Sequence, residues 1–244
     1  MMNPSESNLE VTKKLSIYSP PQPGRFEGAR PMVVIIPSTK MTDLAGNGAE
    51  YGVQNSMEDL SQEFNARGFA TFRFIPREKT YSTKEGLQDV LAQYEAALQF
   101  SEVDPGQVLL LGFADGADSI ARNFYTYWQV QRPLACVLLS STVHTLHLNS
   151  MTCPYLVIHG SQDPILQSSL PYLNIESAIH HHQSRYGDVT ANLCFPELGK
   201  ELGEGQLAHD VIEHIVNWAE KAVTTGFRKQ EPPAQNAIPR KSVA

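Results

Sequence analysis

The sequence predicts an α/β fold: a doubly wound, mostly parallel sheet in a single domain without a cap. Three observations predict it. Six short apolar runs, rich in β-branched residues, recur along the chain, and stretches of helical period lie between them. Parallel neighbours need a crossover connection, so this alternation implies helices on both faces of the sheet. The connections are also short, and 244 residues suit one α/β core.

Taken in order, "LSIYSP" (15–20) is extended and suits an antiparallel edge, and "MVVIIP" (32–37) reads as a buried strand. Residues 56–68, "SMEDLSQEFNARG", have apolar residues at three- and four-residue spacing, and Gly68 provides a stop. The strand "FATFRF" (69–74) leads to a helix over 84–100, then the strand "QVLLLG" (107–112) and a helix over 116–130. Further strands are expected at 134–140, 155–160 and 191–195, with helices at 165–183 and 206–224. The last helix carries Leu207, Val211, Ile215 and Trp218 along one face. Only residues 141–154 separate two of the strands, which leaves no room for a cap domain. Residues 1–14 read as a flexible start and 15–225 as the domain. The tail 226–244 carries Arg228, Lys229, Arg240 and Lys241 against Glu231, a net +3, and its composition predicts disorder.

Hydrophobic residues make up 41% and charged residues 18%, which excludes a fibrous or wholly disordered chain. The formal net charge of -7 argues against a nucleic-acid partner, because phosphate neutralisation needs clustered Lys and Arg. The start "MMNPSESNLEVTKK" lacks the apolar core of a signal peptide and no run approaches the length of a membrane span, so a cytoplasmic location without a membrane partner is expected. Cys136, Cys153 and Cys194 lie in apolar segments and read as buried, reduced thiols. Consecutive helical residues point about 100° apart, so His180, His181 and His182 read as a solvated helix face rather than a metal site. No cofactor is expected.

The stretch "VLLLGFADGADSIA" (108–121) carries the chemistry. An apolar strand runs into Gly112-Phe113-Ala114-Asp115-Gly116-Ala117, and small residues then open a helix. A strand, a sharp turn and a helix with glycines two residues either side of the tip resemble the α/β-hydrolase superfamily. The likeness spans roughly residues 15–222 and is nearest to the small, lidless carboxylesterase, acyl-protein thioesterase and dienelactone-hydrolase-like group. The segment "YLVIHGSQDPIL" (155–166) resembles the same group, with Asp163 three residues after the strand-ending Gly160.

That resemblance implies a nucleophile at position 114, a triad acid at Asp163, and an oxyanion site from the N–H of Asp115 and the loop beginning Pro37-Ser38-Thr39. It also implies that Ala114 and Asp163 stand at the carboxyl ends of neighbouring strands. Two positions depart from the pattern. Ala114 stands where the group has serine, and Lys200 stands where it has histidine after P-x-x-G. His209, nine residues on, is the other candidate base. If Lys200 replaces the imidazole, an ion pair with Asp163 is expected; if His209 does, its ring should reach Asp163. Asp115, Ser38, Ser141 and Ser119 are weaker nucleophile candidates, with no base visibly placed beside either Ser38 or Ser141. The Gly-containing stretch 45–52 could line a cleft or be a plain surface loop.

Two functions are open at this point. The chain is a catalytically degenerate hydrolase-fold protein that binds an ester-like small molecule or a protein partner. Alternatively, it is an ester or thioester hydrolase with its serine replaced, completed by Asp163 and His209.

Overall fold

The computed structural model describes residues 16–22, 26, 28–48, 53–142, 144–164, 169–186, 189–200 and 202–225. The strands are β1 (Ser16–Ser19), β2 (Arg30–Ile36), β3 (Val53–Gln54), β4 (Ala70–Phe74), β5 (Val103–Phe113), β6 (Ala135–Leu139), β7 (Tyr155–Gly160), β8 (Ala191–Phe195) and β9 (Gly203–Leu207). The helices are α1 (Ser56–Ala66), α2 (Lys84–Ala97), α3 (Asp115–Arg122), α4 (Phe124–Val130), α5 (Thr145–Ser150), α6 (Ser169–Tyr186) and α7 (His209–Thr224). Seven strands form one sheet in the order β1-β4-β2-β5-β6-β7-β8, parallel except for β1, which pairs antiparallel with β4. The antiparallel edge and the six parallel strands match the expectation.

Each central strand is apolar on both sides because each side meets helices. Along β2, Met32, Val34 and Ile36 pack with α2, α3, α4 and α6, while Val33 and Ile35 face α1 and α7. Parallel strands that all end at one edge deliver the loops after β2, β5, β6, β7 and β8 to the same crest.

The differences from expectation have local causes. The helix expected over 116–130 is divided at Asn123, whose side-chain amide donates to the Ser119 carbonyl (3.1 Å) and competes with the helical ladder. Helix α5 has six residues, too few to show a period. The terminal helix starts at His209 rather than 206, because 203–207 pair as β9 with β3. Cys194 is exposed on the edge strand, whereas Cys136 and Cys153 are buried thiols as expected. The expected flexible start 1–14, the expected disordered tail 226–244, and residues 49–52 of the glycine-containing stretch lie outside the described residues.

His182 is buried rather than solvated. It continues the stripe Ile175, Ala178 and Ile179 on α6, at heptad spacing from Ile175, while His180 and His181 are exposed. Its Nδ1 bonds with the Thr190 hydroxyl (2.8 Å) and its Nε2 with the Met151 carbonyl (3.0 Å), tying α6 to two connections. Burial holds its pKa down at about 4, against the bond to Met151 and with help from the charges of Arg185 and His181. Above its ordinary value of 6.5 the ring is neutral in both folded and unfolded chains. As pH falls from there toward 4, the unfolded chain takes up a proton that the native chain refuses, so stability falls. The integrated loss is about 3 kcal/mol. Urea titrations across this range should show that slope, and it should flatten in His182→Gln.

The turn after β5 holds Ala114 at φ 47°, ψ -113°, a conformation that strains any residue with a Cβ. Its flanks leave no room for side chains: a Cβ at Gly112 would lie 2.6 Å from Ala117 Cα, and one at Gly116 would lie 2.5 Å from the Pro37 carbonyl oxygen. Ala114→Gly is therefore expected to raise unfolding stability by about 1 kcal/mol. Gly116→Ala should lower it by about 3 kcal/mol, both read from urea midpoints.

Candidate functional site

The loops after β2 and β6 are bonded to the first turn of α3, and the 80–84 segment faces it. Gly116 lets the α3 backbone close onto the end of β2, and this brings Asp115 beside the loop Pro37-Ser38-Thr39. One Asp115 carboxylate oxygen accepts from the Ser38 hydroxyl (2.7 Å), and both lie within bonding distance of the Thr39 N–H (3.2 and 3.3 Å). The second oxygen also accepts from the Thr39 hydroxyl. One turn later Asp118 repeats the arrangement on the loop after β6. It accepts from the Ser141 hydroxyl (2.7 Å), the Thr142 N–H (2.8 Å) and the Thr142 hydroxyl (2.6 Å). Negative charge in the first turn of a helix is favoured by the aligned peptide dipoles.

Two carboxylates three residues apart thus fasten a Ser-Thr pair on each side of β5. Sequence reasoning missed Asp118 and Thr142. The available signal was the Ser-Thr dipeptide after each apolar strand, combined with the Asp-x-x-Asp spacing on the intervening helix. Ser38 and Ser141 each have a carboxylate partner after all, but both serines are buried. Ser119 is also buried and pairs with the Tyr127 hydroxyl at 3.2 Å.

Tyr81 closes another side. Its hydroxyl donates to the Pro37 carbonyl (2.9 Å), and burial followed by the negative charge of Asp115 pushes its pKa well up. Between the 80–84 segment and the outer face of α3 lies a cleft of 540 Å³ lined with polar groups, among them Tyr81, Lys84, Asp115, Asp118 and Arg122.

On the other side of β5, Asp163 is almost fully buried, in a tight turn closed by its N–H on the Gly160 carbonyl (3.1 Å). Strand β6 lies between β5 and β7, so Ala114 and Asp163 end strands two apart rather than adjacent ones. Buried His159, at the end of β7, feels the carboxylate: burial lowers its pKa, and the Asp163 charge opposes that shift. The loop after β8 is stitched onto the same strand end. Ser161 N–H donates to the Phe195 carbonyl and Gln162 N–H to the Leu198 carbonyl, both at 2.9 Å. A Cβ on Gly160 would lie 2.1 Å from the Leu198 oxygen, so only glycine permits this approach.

That stitching fixes Lys200 by its main chain, since its carbonyl accepts from the Ser140 hydroxyl. The expected Lys200–Asp163 ion pair is not formed among the described residues. Nor does His209 form an ion pair with Asp163 among the described residues. It is exposed at the first position of α7 and lines a separate cleft of 350 Å³ with Asp59, Gln62, Glu63, Gln206, Leu207 and Ile212. The structure therefore brings Ser38, Thr39, Ala114 and Asp115 together, places Asp163 two strands away, and leaves His209 outside the group. No cluster of three metal-ligating side chains occurs among the described residues, and no described helix is long and apolar enough to cross a membrane.

No protein-family model matches the chain, and no curated protein sequence matches it. Solved structures do. Est1E from Butyrivibrio proteoclasticus superposes with a TM-score of 0.62 at 14% identity, over 86% of this chain and 94% of that one. Esterase 2 from Thermogutta terrifontis gives a TM-score of 0.59 at 13% identity, over 89% and 90%. An acetyl ester-xyloside bifunctional hydrolase from Caldicellulosiruptor lactoaceticus gives 0.59 at 17% identity, over 91% and 94%. With the sheet order, the doubly wound helices and these superpositions, the chain has the α/β-hydrolase fold.

Proposed function

We propose that this protein has lost ester hydrolysis and acts by binding, with an ester-like small molecule or a protein partner at the crest around α3. The observation that carries this reading is the Asp115 carboxylate on the Thr39 N–H, 3.2 Å away. In an acyl-transfer site that N–H is one of the donors that receive the developing oxyanion. Here it already serves a carboxylate, and an oxyanion at the same place meets a like charge.

Two further features support the reading. Ala114 offers no nucleophile at the strained turn, and removing the serine of a triad costs about a million-fold in turnover. Among the described residues, neither candidate base, Lys200 or His209, forms an ion pair with Asp163. The alternative, a hydrolase lacking only its serine and completed by His209, needs that ring at Asp163, and His209 instead lines the cleft beside α1. The 540 Å³ cleft between the 80–84 segment and α3 is the proposed ligand site.

The unmodified protein is expected to hydrolyse short-chain aryl esters no faster than a heat-denatured control. Ala114→Ser should remain equally inert and should resist labelling by a fluorophosphonate, because Asp115 still holds Thr39. Saturable turnover by the unmodified chain would point to Ser38 or Ser141. Turnover by Ala114→Ser alone would overturn the proposal in favour of the replaced-serine reading.

Binding is tested separately by calorimetric titration with short acyl esters. Arg122, half exposed on the cleft wall, is the position to change. Arg122→Ala is expected to weaken any affinity about tenfold, equivalent to about 1.4 kcal/mol, without changing stability by more than about 0.5 kcal/mol.

A further inference from the structure

Cys136 and Cys153 form a second chemical site, unrelated to the crest. Their sulfurs lie 3.6 Å apart in the apolar layer between the sheet and helices α2, α4 and α6, and neither is more than 1% exposed. Cys136 belongs to β6, and its N–H donates to the Pro154 carbonyl (3.0 Å). Cys153 belongs to the short connection from α5 to β7. We propose that this pair is a site of reversible disulfide formation, using a peroxide as oxidant.

The step balances simply. One sulfur attacks the peroxide, the O–O bond breaks, and a sulfenic acid and one water result. The second thiol displaces the sulfenic oxygen as another water, giving the S–S bond. In total two thiols lose two electrons and two protons, and the peroxide gains them. Geometry decides which part of the chain must move. A disulfide bond is about 2.05 Å long, so the sulfurs must close by about 1.5 Å. The β ladder fixes Cys136, which leaves the 151–154 connection to adjust.

That connection is itself held on both sides of Cys153. The Met151 carbonyl bonds with His182 Nε2 (3.0 Å), and the Thr152 carbonyl accepts from Arg132 (2.7 Å). Closing the bond against these anchors strains it, and strained disulfides are the readily reduced ones. Burial pushes the Cys136 thiol well above its ordinary range, with its neighbour Cys153 adding to the shift, so formation is slow. The cross-link would join β6 to the residues that precede β7. It sits at the amino ends of these two strands, on the edge of the sheet opposite the crest.

The experiment uses the folded full-length chain with exposed Cys194 changed to serine. After hydrogen peroxide treatment and quenching, the chain is unfolded in the presence of iodoacetamide. The expected result is a monomer about two hydrogens lighter, no alkylated cysteine, and a peptide containing both Cys136 and Cys153 in a non-reducing digest, all reversed by dithiothreitol. The thermal midpoint should rise on oxidation and return on reduction. Cys153→Ala in the same background should give a dimedone-trapped sulfenic acid at Cys136 and no mass loss. If that variant fails to fold, the first measurement still decides. Full alkylation at both positions, or separate sulfinic acids without a cross-linked peptide, overturns the proposal.

Discussion

The crest of this molecule depends on two carboxylates at the start of α3. Asp115 and Asp118 each bond a hydroxyl, a main-chain N–H and a second hydroxyl from a Ser-Thr pair, one pair after β2 and the other after β6. The loops on both sides of β5 are therefore fastened to one helix. Hydrogen bonds to charged groups are worth about 1.5 to 3 kcal/mol each, and removing the acceptors takes that partner from the buried hydroxyls of Ser38 and Ser141. The arrangement depends in turn on Gly116, because only the missing Cβ lets α3 come close enough to the end of β2 for Asp115 to reach Thr39.

The same bonds set limits on chemistry. A unit charge about 4 Å from another costs about 4 kcal/mol in a surroundings of effective dielectric constant near 20. For an oxyanion beside the Asp115 carboxylate this corresponds to roughly a thousand-fold in rate. On the proposed reading, alanine at the tip of the turn is a second, independent obstacle and a larger one. Since the two act on different requirements of acyl transfer, removing one leaves the other in force. Beside α3 the crest carries a polar cleft lined by Tyr81, Lys84, Asp115, Asp118 and Arg122.

Much of the fold was legible in the sequence because parallel strands buried on both faces leave continuous apolar runs, and helices of eleven or more residues show their period. The N-terminal edge and all six parallel strands could be found in that way. Helix α5 and the β3–β9 pair could not, since six residues and two residues carry no period. At the site, the turn at Ala114 was legible because glycine at 112 and 116 is a steric requirement written directly in the sequence. The Asp118 clamp was harder to see: its partners are 23 and 24 residues away, and only the Ser-Thr pair after each strand taken together with the Asp-x-x-Asp spacing on α3 hints at it. His182 was misread for a related reason. A histidine beside two exposed ones looks polar, but its place on the Ile175-Ala178-Ile179 stripe turns it inward, where Thr190 and Met151 meet its nitrogens.

The strained backbone at Ala114 needs a cause other than catalysis if the side chain there does no chemistry. Strain of this kind costs about 1 to 3 kcal/mol and persists only where the surroundings leave no alternative. Here they leave none. The Ala114 N–H donates to the Leu139 carbonyl (2.8 Å), which fixes the turn to β6. Gly112 and Gly116 pack against Ala117 and Pro37 at distances no Cβ tolerates, and the two aspartates hold the helix start to the flanking loops. A relaxed turn would have to break several of these bonds together, at a cost above the strain it relieved. The sharp turn is thus maintained by packing and hydrogen bonding around it, and its geometry is no evidence that the residue at its tip reacts.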